Sequence, residues 1–297
     1  MTILDAIGNT PLVQVDGVWL KCEFLNPSGS VKARMARFAI ERAEAEGRLR
    51  PGDTIVEASS GNTGNAMSMV AAVRGYRMVV VTAGGLSRER TAISRAFGAE
   101  VREVGDFHVT DARDTARRLG EQERWFHPGQ FDGEWNVECN ATGLGPEILR
   151  GLPSVPDVVI CGIGTGGTLV GVGRAFRGAN PRCAVLGVEP SGSRTLCCGE
   201  VGRHRIEGIS DGFVPGIVDR HRSEIDDVVA VDDADALAET ARLAREFGVF
   251  VGPSTGAHLV AARAWRECHP GTTVVTFASD EGEKYLSETA GVAAAVA

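Results

Sequence analysis

A single lysine follows a loop of small residues near the start of the chain. Lys32 ends the stretch Asn26-Pro27-Ser28-Gly29-Ser30-Val31-Lys32, at the point where a helical pattern begins. An amine held there is well placed for covalent chemistry. Taken alone, the stretch is also compatible with an ordinary surface lysine. The assignment of Lys32 therefore depends on the groups that accompany it in the sequence.

Two glycine-rich loops further along could bind anions. Residues 164–168, Gly-Thr-Gly-Gly-Thr, follow a strand pattern and open a helix. The backbone N–H groups of such a loop suit a phosphate, and Thr165 and Thr168 add hydroxyl donors. Residues 59–64, Ser-Ser-Gly-Asn-Thr-Gly, occupy an equivalent place and suit a carboxylate. The structural alternatives are a tight turn and a helix N-cap cluster. An amine, a phosphate loop and a carboxylate loop together predict pyridoxal 5′-phosphate (PLP) holding an amino acid.

Nearly the whole chain resembles the cysteine synthase and cystathionine β-synthase family of PLP enzymes, which have the second PLP fold type. The matching motifs stand in family order at residues 7–12, 26–34, 57–64, 87–99, 145–148, 164–168, 252–257 and 280–286. One glycine loop would be weak support, whereas a full ordered set is specific.

The resemblance implies a role for each candidate site residue. Lys32 becomes the catalytic Schiff-base lysine. The cofactor-binding residues are expected to be Lys32, Asn62 at the 3′-oxygen, Gly164, Thr165, Gly166, Gly167 and Thr168 at the phosphate, and Ser254 at the ring nitrogen. The substrate-binding residues are expected to be Ser59, Ser60, Gly61, Thr63 and Gln130. Asp211 is either a further substrate contact or an exposed loop charge, and no metal site is predicted, since the histidines show no metal-ligand spacing.

A hydroxyl at Ser254 favours prompt loss of a leaving group from the β-carbon. A carboxylate there would keep the ring nitrogen protonated and make the ring a strong electron sink. The predicted function is β-replacement on an O-activated L-serine (O-acetylserine or O-phosphoserine) through α-aminoacrylate. The product would be L-cysteine or another β-substituted alanine, and the enzyme a PLP-dependent transferase of amino-acid biosynthesis.

Two other functions remain open at this point. A lyase of the same fold, such as a serine or threonine dehydratase or a cysteine desulfhydrase, would use the same cofactor without a second substrate. A catalytically silent scaffold is the third, and the presence of Lys32, Asn62 and Ser254 argues against it.

Some positions depart from the family pattern. Ala33 stands where aspartate is usual, residues 82–87 replace a loop that bears proline and methionine, and Pro253-Ser254-Thr255 replaces Ile-Ser-Ser. These departures leave PLP binding in place. They weaken the expectation of a housekeeping cysteine synthase and leave open a secondary-metabolism relative that makes another β-substituted alanine.

Short apolar strands alternate with helices along the chain. Strand patterns occur at residues 54–58, 77–81, 100–104, 157–160, 184–188 and 272–277, and helical patterns at 64–74, 90–97, 112–119, 167–176 and 233–247. Such alternation predicts α/β architecture with mostly parallel sheets, as two doubly wound three-layer α/β/α domains of the tryptophan synthase β-like PLP fold type II. The expected division is a smaller mobile domain at 35–144 and a larger PLP-binding domain at 1–34 plus 145–297. The site is expected in the cleft between them.

The composition and charge of the chain limit the classes of partner that it can bind. A net charge of −8 without a basic block argues against nucleic acid, and no apolar run is long enough to cross a membrane. Seven cysteines without regular spacing indicate reduced thiols, and the N-terminal residues lack a signal-peptide pattern, so a cytoplasmic protein is expected. The predicted partners are a small amino-acid substrate and a small nucleophile, and the resemblance implies a homodimer.

Overall fold

The computed structural model describes residues 1–59, 61–84, 88–106 and 109–287. In chain order the strands β1 to β10 are Leu12–Val15, Val18–Cys22, Thr54–Ala58, Arg77–Gly84, Glu100–Asp106, Trp125–Phe126, Val158–Gly162, Ala184–Pro190, Asp227–Val231 and Val274–Ala278. The helices α1 to α10 are Lys32–Ala45, Asn62–Arg74, Arg88–Ala96, Val109–Gly120, Glu134–Cys139, Gly145–Gly151, Gly167–Ala179, Gly216–Arg220, Asp233–Phe247 and Pro253–Cys268. Short 3₁₀ turns occur at Ile3–Ala6, Glu23–Leu25, Arg222–Glu224 and Gly282–Tyr285, and a π-helical turn occurs at Asn140–Leu144.

The chain forms two compact units. The first comprises Met1–Ile7, Asn26–Gln130 and the chain from Gly282, and the second comprises Gly8–Leu25 and Phe131–Glu281. Lys32 thus belongs to the first unit, although the division expected from sequence grouped residues 1–34 with the C-terminal part. The assignment of one mobile and one PLP-binding domain stays a prediction.

A four-stranded parallel sheet forms the centre of the first unit. The strand order is β5-β4-β3-β6, and all five residues of β3 are buried. Ala112 and Ala116 of α4 pack with Val56 of β3 and Val79 of β4 in one apolar cluster. A strand with no polar face needs cover on both sides, and helices supply that cover in parallel sheets.

A six-stranded sheet forms the centre of the second unit. The order is β1-β2-β10-β7-β8-β9, with β1 antiparallel to β2 and every other pair parallel. The hairpin turns at Asp16 and Gly17, whose φ angles are 49° and 76°. Two positive φ angles are the signature of the tight turns that suit hairpins, and Asp-Gly is a favoured pair for them.

The predicted α/β architecture is confirmed, and so are most individual elements. The strand at Thr54–Ala58 and the helix at Asp233–Phe247 have the predicted bounds. Asp232 occupies the N-cap position of α9, without a side-chain capping hydrogen bond. Its carboxylate accepts the Ser191 hydroxyl instead.

A buried histidine joins α10 to the central sheet of the second unit. His258 Nε2 accepts the Gly162 N–H at 2.7 Å, at the end of β7, and His258 Nδ1 lies 2.9 Å from the carbonyl of Phe277 in β10. Since Nε2 accepts, the proton must be on Nδ1, and the ring is neutral. Burial lowers the pKa of His258 to about 4, with partial opposition from the Phe277 hydrogen bond. One imidazole therefore fixes the helix that carries Ser254 beside the strand that leads into the loop at 164–168.

The buried imidazole predicts a specific acid sensitivity. As pH falls from 6.5 towards 4, the unfolded chain takes up a proton that the folded His258 does not, so stability should decrease across that range. The expected slope from this group is at most about 1.4 kcal/mol per pH unit. Urea unfolding of wild type and His258→Gln at several pH values measures it. The variant should be less stable at neutral pH, yet lack this part of the slope.

His269→Gln is the matched control for that experiment, because His269 is exposed at the end of the same helix. This variant should keep the wild-type slope. An undiminished slope in His258→Gln would contradict the assignment.

Candidate active site

Lys32 is the first residue of α1 and is half-buried. The helix begins where the sequence predicted, and it buries the face formed by Met35, Ala36, Ala39, Ile40 and Ala43. The amine is therefore carried on a helix that is packed along its length. The hydroxyls of Ser28 and Ser30 in the preceding loop are buried and have no hydrogen-bond partner in the described part of the chain. Buried polar groups are normally paired, so these two hydroxyls suit a polar ligand.

The predicted carboxylate loop lies between the end of β3 and the start of α2. Ser59 Oγ accepts two backbone N–H groups, from Gly61 at 3.0 Å and from Gly64 at 2.9 Å. A hydroxyl oxygen has two lone pairs, and both are used here. The Ser59 proton is therefore directed away from the loop as a donor, beside the positive end of a 13-residue helix. Ser60 lies outside the described residues.

Gln130 contacts this loop, and its role in binding the substrate stays a prediction. The Thr63 hydroxyl donates to Gln130 Oε1, and Gln130 Nε2 donates to the Ala58 carbonyl at 2.6 Å. The backbone N–H of Gln130 donates to Glu57 Oε2 at 3.1 Å, and Glu57 is fully buried. The side chains of Thr63 and Gln130 are thus held in one geometry by the strand behind them.

A second lysine lies against both loops, and sequence reasoning missed it. Lys284 Nζ donates to the carbonyls of Ser28 and Gly29 and to Asn62 Oδ1, at 2.8, 3.0 and 3.0 Å. The sequence has three lysines and 28 arginines, and that imbalance was the available signal.

The predicted phosphate loop in the second unit shows the same device as the carboxylate loop. Thr165 Oγ1 accepts the Gly167 N–H at 3.3 Å and Asn136 Nδ2 at 2.9 Å, so its own proton is free to donate elsewhere. Gly166 has φ +85°, a left-handed conformation that glycine adopts without strain, and its added Cβ would lie 2.5 Å from Val218. Gly167 and the half-buried Thr168 open α7, whose first N–H groups suit an anion.

Asn136 is a further residue that the sequence did not reveal. It is buried, and a Cβ at Gly167 would lie 2.3 Å from its side chain. Asn136 therefore packs against the loop at Gly167 and orients the Thr165 hydroxyl through its hydrogen bond. Nothing in its local sequence distinguishes it from any other asparagine of a short helix.

Ser254 lies in the first turn of α10 and is 4% exposed. Its hydroxyl makes no hydrogen bond with the described residues, whereas its neighbour Thr255 accepts the Ser279 N–H at 3.3 Å. A buried hydroxyl without a hydrogen bond to the described residues suits a ligand atom that can form a hydrogen bond with it.

The residues of the second unit described above fit PLP. The loop at 164–168 offers backbone N–H groups and a directed hydroxyl for a phosphate, and Ser254 offers a hydroxyl for a ring nitrogen.

Across the described residues, histidine, cysteine, aspartate and glutamate form no cluster of three that could hold a metal ion. None of the helices in the described part of the chain combines the length and the apolar character needed to cross a bilayer. None of the seven cysteines forms a disulfide bond.

Comparison with known proteins gives an independent result. The family model described as "Pyridoxal-phosphate dependent enzyme" matches residues 3–280. O-ureido-L-serine synthase of Streptomyces lavendulae is 42% identical over 296 residues, covering 96% of this chain and 91% of that protein. Cysteine synthase of Staphylococcus aureus is 38% identical over 297 residues, covering 96% and 95%.

A solved structure agrees. The O-acetylserine-dependent cystathionine β-synthase of Helicobacter pylori superposes with a TM-score of 0.92 at 33% identity, covering 96% of this chain and 97% of that one. The predicted second PLP fold type is thereby confirmed. On these matches, the chain belongs to the family of pyridoxal-phosphate dependent enzymes.

Proposed function

We propose that the protein catalyses β-replacement on an O-activated L-serine. One observation carries the proposal: within the first unit, Lys284 joins the loop that leads into Lys32 to Asn62, in the loop that offers donors for an α-carboxylate. That arrangement holds an amine and an amino-acid-binding loop in fixed relation. The relatives named above, which make O-ureido-L-serine or cysteine, support the same chemistry.

Each residue has a part in this reaction. The amine of Lys32 holds the cofactor and, once released, takes the α-proton of the substrate. The directed hydroxyl of Ser59 and the side-chain amide of Gln130 bind the substrate carboxylate, and Thr63, whose hydroxyl donates to Gln130 Oε1, holds that amide in place. Thr165 and the N–H groups that open α7 bind the phosphate. Bound PLP supplies the electron sink that lets the α-carbon lose its proton.

The nature of Ser254 favours departure of the β-group. A neutral hydroxyl does not hold a proton on the ring nitrogen as a carboxylate would. The electron pair left on the α-carbon when the α-proton is removed would therefore expel the β-leaving group. We propose O-acetylserine as the first substrate to test, because the related Helicobacter enzyme depends on it. O-phosphoserine is the second.

The nucleophile is either sulfide or an oxygen nucleophile. O-ureido-L-serine carries a ureido group on its β-oxygen. β-Replacement forms this product when the oxygen of hydroxyurea adds at the β-carbon. The glycine at position 84 and the alanine at position 33 depart from the usual family residues, which favours a product other than cysteine. Residues 85–87 of the same loop lie outside the described residues.

We further propose that the protein is a homodimer that works in the reducing cytoplasm, in keeping with cysteines that form no disulfide bond. Sedimentation equilibrium of the purified protein tests the first point. A single monomeric species at micromolar concentration would contradict it.

Product analysis distinguishes replacement from elimination. The enzyme is mixed with O-acetylserine alone, with sulfide, or with hydroxyurea, and amino-acid products, pyruvate and ammonia are quantified. We expect a β-substituted alanine to form in excess of pyruvate whenever the correct nucleophile is present. Pyruvate and ammonia as the main products under every condition would show that the chain is a lyase.

Lys32 should be the only lysine that carries the cofactor. Borohydride reduction of the PLP-loaded protein, followed by peptide mass mapping, should place reduced PLP on the Lys32 peptide, because Lys21 and Lys284 are fully buried and already paired. Lys32→Arg should abolish the label and lower turnover at least about 100-fold. A label on another lysine, or an active Lys32→Arg, would refute the assignment.

Asn136→Ala should weaken PLP binding roughly tenfold, because Thr165 loses the partner that orients it. Equilibrium dialysis against PLP measures the dissociation constant. Asn180→Ala is the control, since Asn180 Nδ2 also donates in the same unit, to the Pro156 carbonyl at 2.9 Å. That variant should lose some thermal stability and keep the wild-type affinity; an equal loss of affinity in both would count against a positioning role.

A further inference from the structure

We infer that Lys284 sets the orientation of the Asn62 side-chain amide towards the cofactor. The inference rests on the proposed function, in which Asn62 contacts the 3′-oxygen of PLP. Lys284 would thus be a positioning residue that acts on the ring through another side chain.

The ammonium of Lys284 is completely buried, with 0% of the residue exposed. An ammonium has three N–H donors, and three acceptors surround this one: the carbonyls of Ser28 and Gly29 and Oδ1 of Asn62. A buried charge is costly unless its donors are satisfied, so this geometry is strongly specified. The contact joins residues 256 positions apart in the sequence.

The chemistry of the contact fixes which way the amide of Asn62 points. A lysine ammonium donates and cannot accept, so the amide oxygen must be the atom that faces Lys284. The amide nitrogen is then held on the far side of the group. Asn62 therefore presents N–H donors, and not its oxygen, to whatever lies beyond it.

An N–H donor is what a negatively charged 3′-oxygen needs. A hydrogen bond to that oxygen stabilises its anionic form and tunes the electron distribution of the ring. A reversed amide would present its oxygen to the same atom and repel it. Lys284 thus selects the amide orientation that is compatible with the cofactor.

The segment that carries Lys284 is itself fixed on α3. The ring of Tyr285 is buried, and the Arg90 guanidinium carbon lies 4.8 Å from its centre. Glu89 accepts both the N–H and the hydroxyl of Ser287, at 2.8 and 2.9 Å. The residues that follow the buried ammonium, Tyr285 to Ser287, are therefore held on α3.

Arg90 also approaches the loop that contains Asn62. A Cβ added at Gly61 would lie 2.1 Å from Cδ of Arg90, so only glycine leaves room for this side chain. Gly61, the residue before Asn62, is thereby in close contact with Arg90. Arg90 limits the space at residue 61, and Lys284 fixes the amide orientation of Asn62.

Spectroscopy of PLP-loaded variants tests the inference. Lys284→Met keeps the length and apolar stem of the side chain and removes all three donors. We expect the visible absorbance of the lysine-bound cofactor to change, and the PLP dissociation constant to rise roughly 10- to 100-fold. Asn62→Ala should change the absorbance in the same direction. The double variant should resemble Asn62→Ala alone, because Lys284 acts through Asn62.

Two variants separate positioning from general stability. Lys21→Met removes another fully buried lysine, in the second unit, which donates to the Thr10 carbonyl at 2.6 Å. It should lower the melting temperature and leave the absorbance unchanged. Lys284→Arg keeps a buried cation with donors for Asn62 and should restore most of the wild-type spectrum.

Several outcomes would overturn the inference. A folded Lys284→Met with wild-type absorbance and PLP affinity would do so, and so would additive effects in the double variant. If Lys284→Met does not fold, Asn62→Asp decides, because its carboxylate still accepts from Lys284 but offers no N–H donor to the cofactor. A wild-type spectrum in that variant would equally reject the inference.

Failure of the proposed function gives a different result. Wild-type protein without the absorbance of lysine-bound PLP, and without a borohydride label on Lys32, would reject the function itself. A wild type that binds PLP through Lys32, together with Lys284 variants of unchanged spectrum, would reject only the role of Lys284.

Discussion

Two hydroxyl oxygens whose lone pairs are both occupied determine how the anion-binding loops work. Ser59 and Thr165 each accept two N–H groups from their own surroundings, which leaves one proton on each oxygen directed outward. Each stands between the end of a buried parallel strand and the start of a 13-residue helix. The fold thus adds a directed side-chain donor to the backbone N–H groups that every helix N-terminus already offers.

The same hydrogen-bonding arrangement occurs in both units, although we propose that the loop of the first unit binds a carboxylate and the loop of the second a phosphate. A carboxylate and a phosphate are both anions with several acceptor oxygens, and both are satisfied by N–H groups and hydroxyls in a concave loop. What differs is the support. Gln130 and Glu57 back the loop in the first unit, and Asn136 backs the loop in the second.

The sequence predicted the elements best where local pattern and tertiary environment agree. The strand Thr54–Ala58 is apolar at most positions and fully buried, and α9 has an amphipathic pattern that ends before Gly248. The hairpin Leu12–Cys22 was missed, although its Asp16-Gly17 turn is a recognisable signal. Asp232 is the N-cap residue of α9, but the pairing of its carboxylate with Ser191 depends on a residue 41 positions away and has no local signal.

The supporting residues of the site could not be predicted for the same reason. Asn136 and His258 are ordinary residues in their local sequence, and Lys284 stood out only as a scarce lysine within the motif at 280–286. Their importance arises from contacts with chain segments that are distant in sequence, such as Lys284 with Ser28 and His258 with Gly162. Glycine loops are visible in sequence because they need an unusual backbone, whereas a second layer of hydrogen bonds needs only the right neighbours.

The contact between Lys284 and the loop before Lys32 has a consequence for biogenesis. On the ribosome, the segment that bears the nucleophilic amine leaves the exit tunnel long before residue 284 has been translated. The nascent polypeptide therefore exposes Lys32 without the ammonium that secures its loop. Capture of the vitamin-derived aldehyde in its final geometry must await nearly the whole of translation.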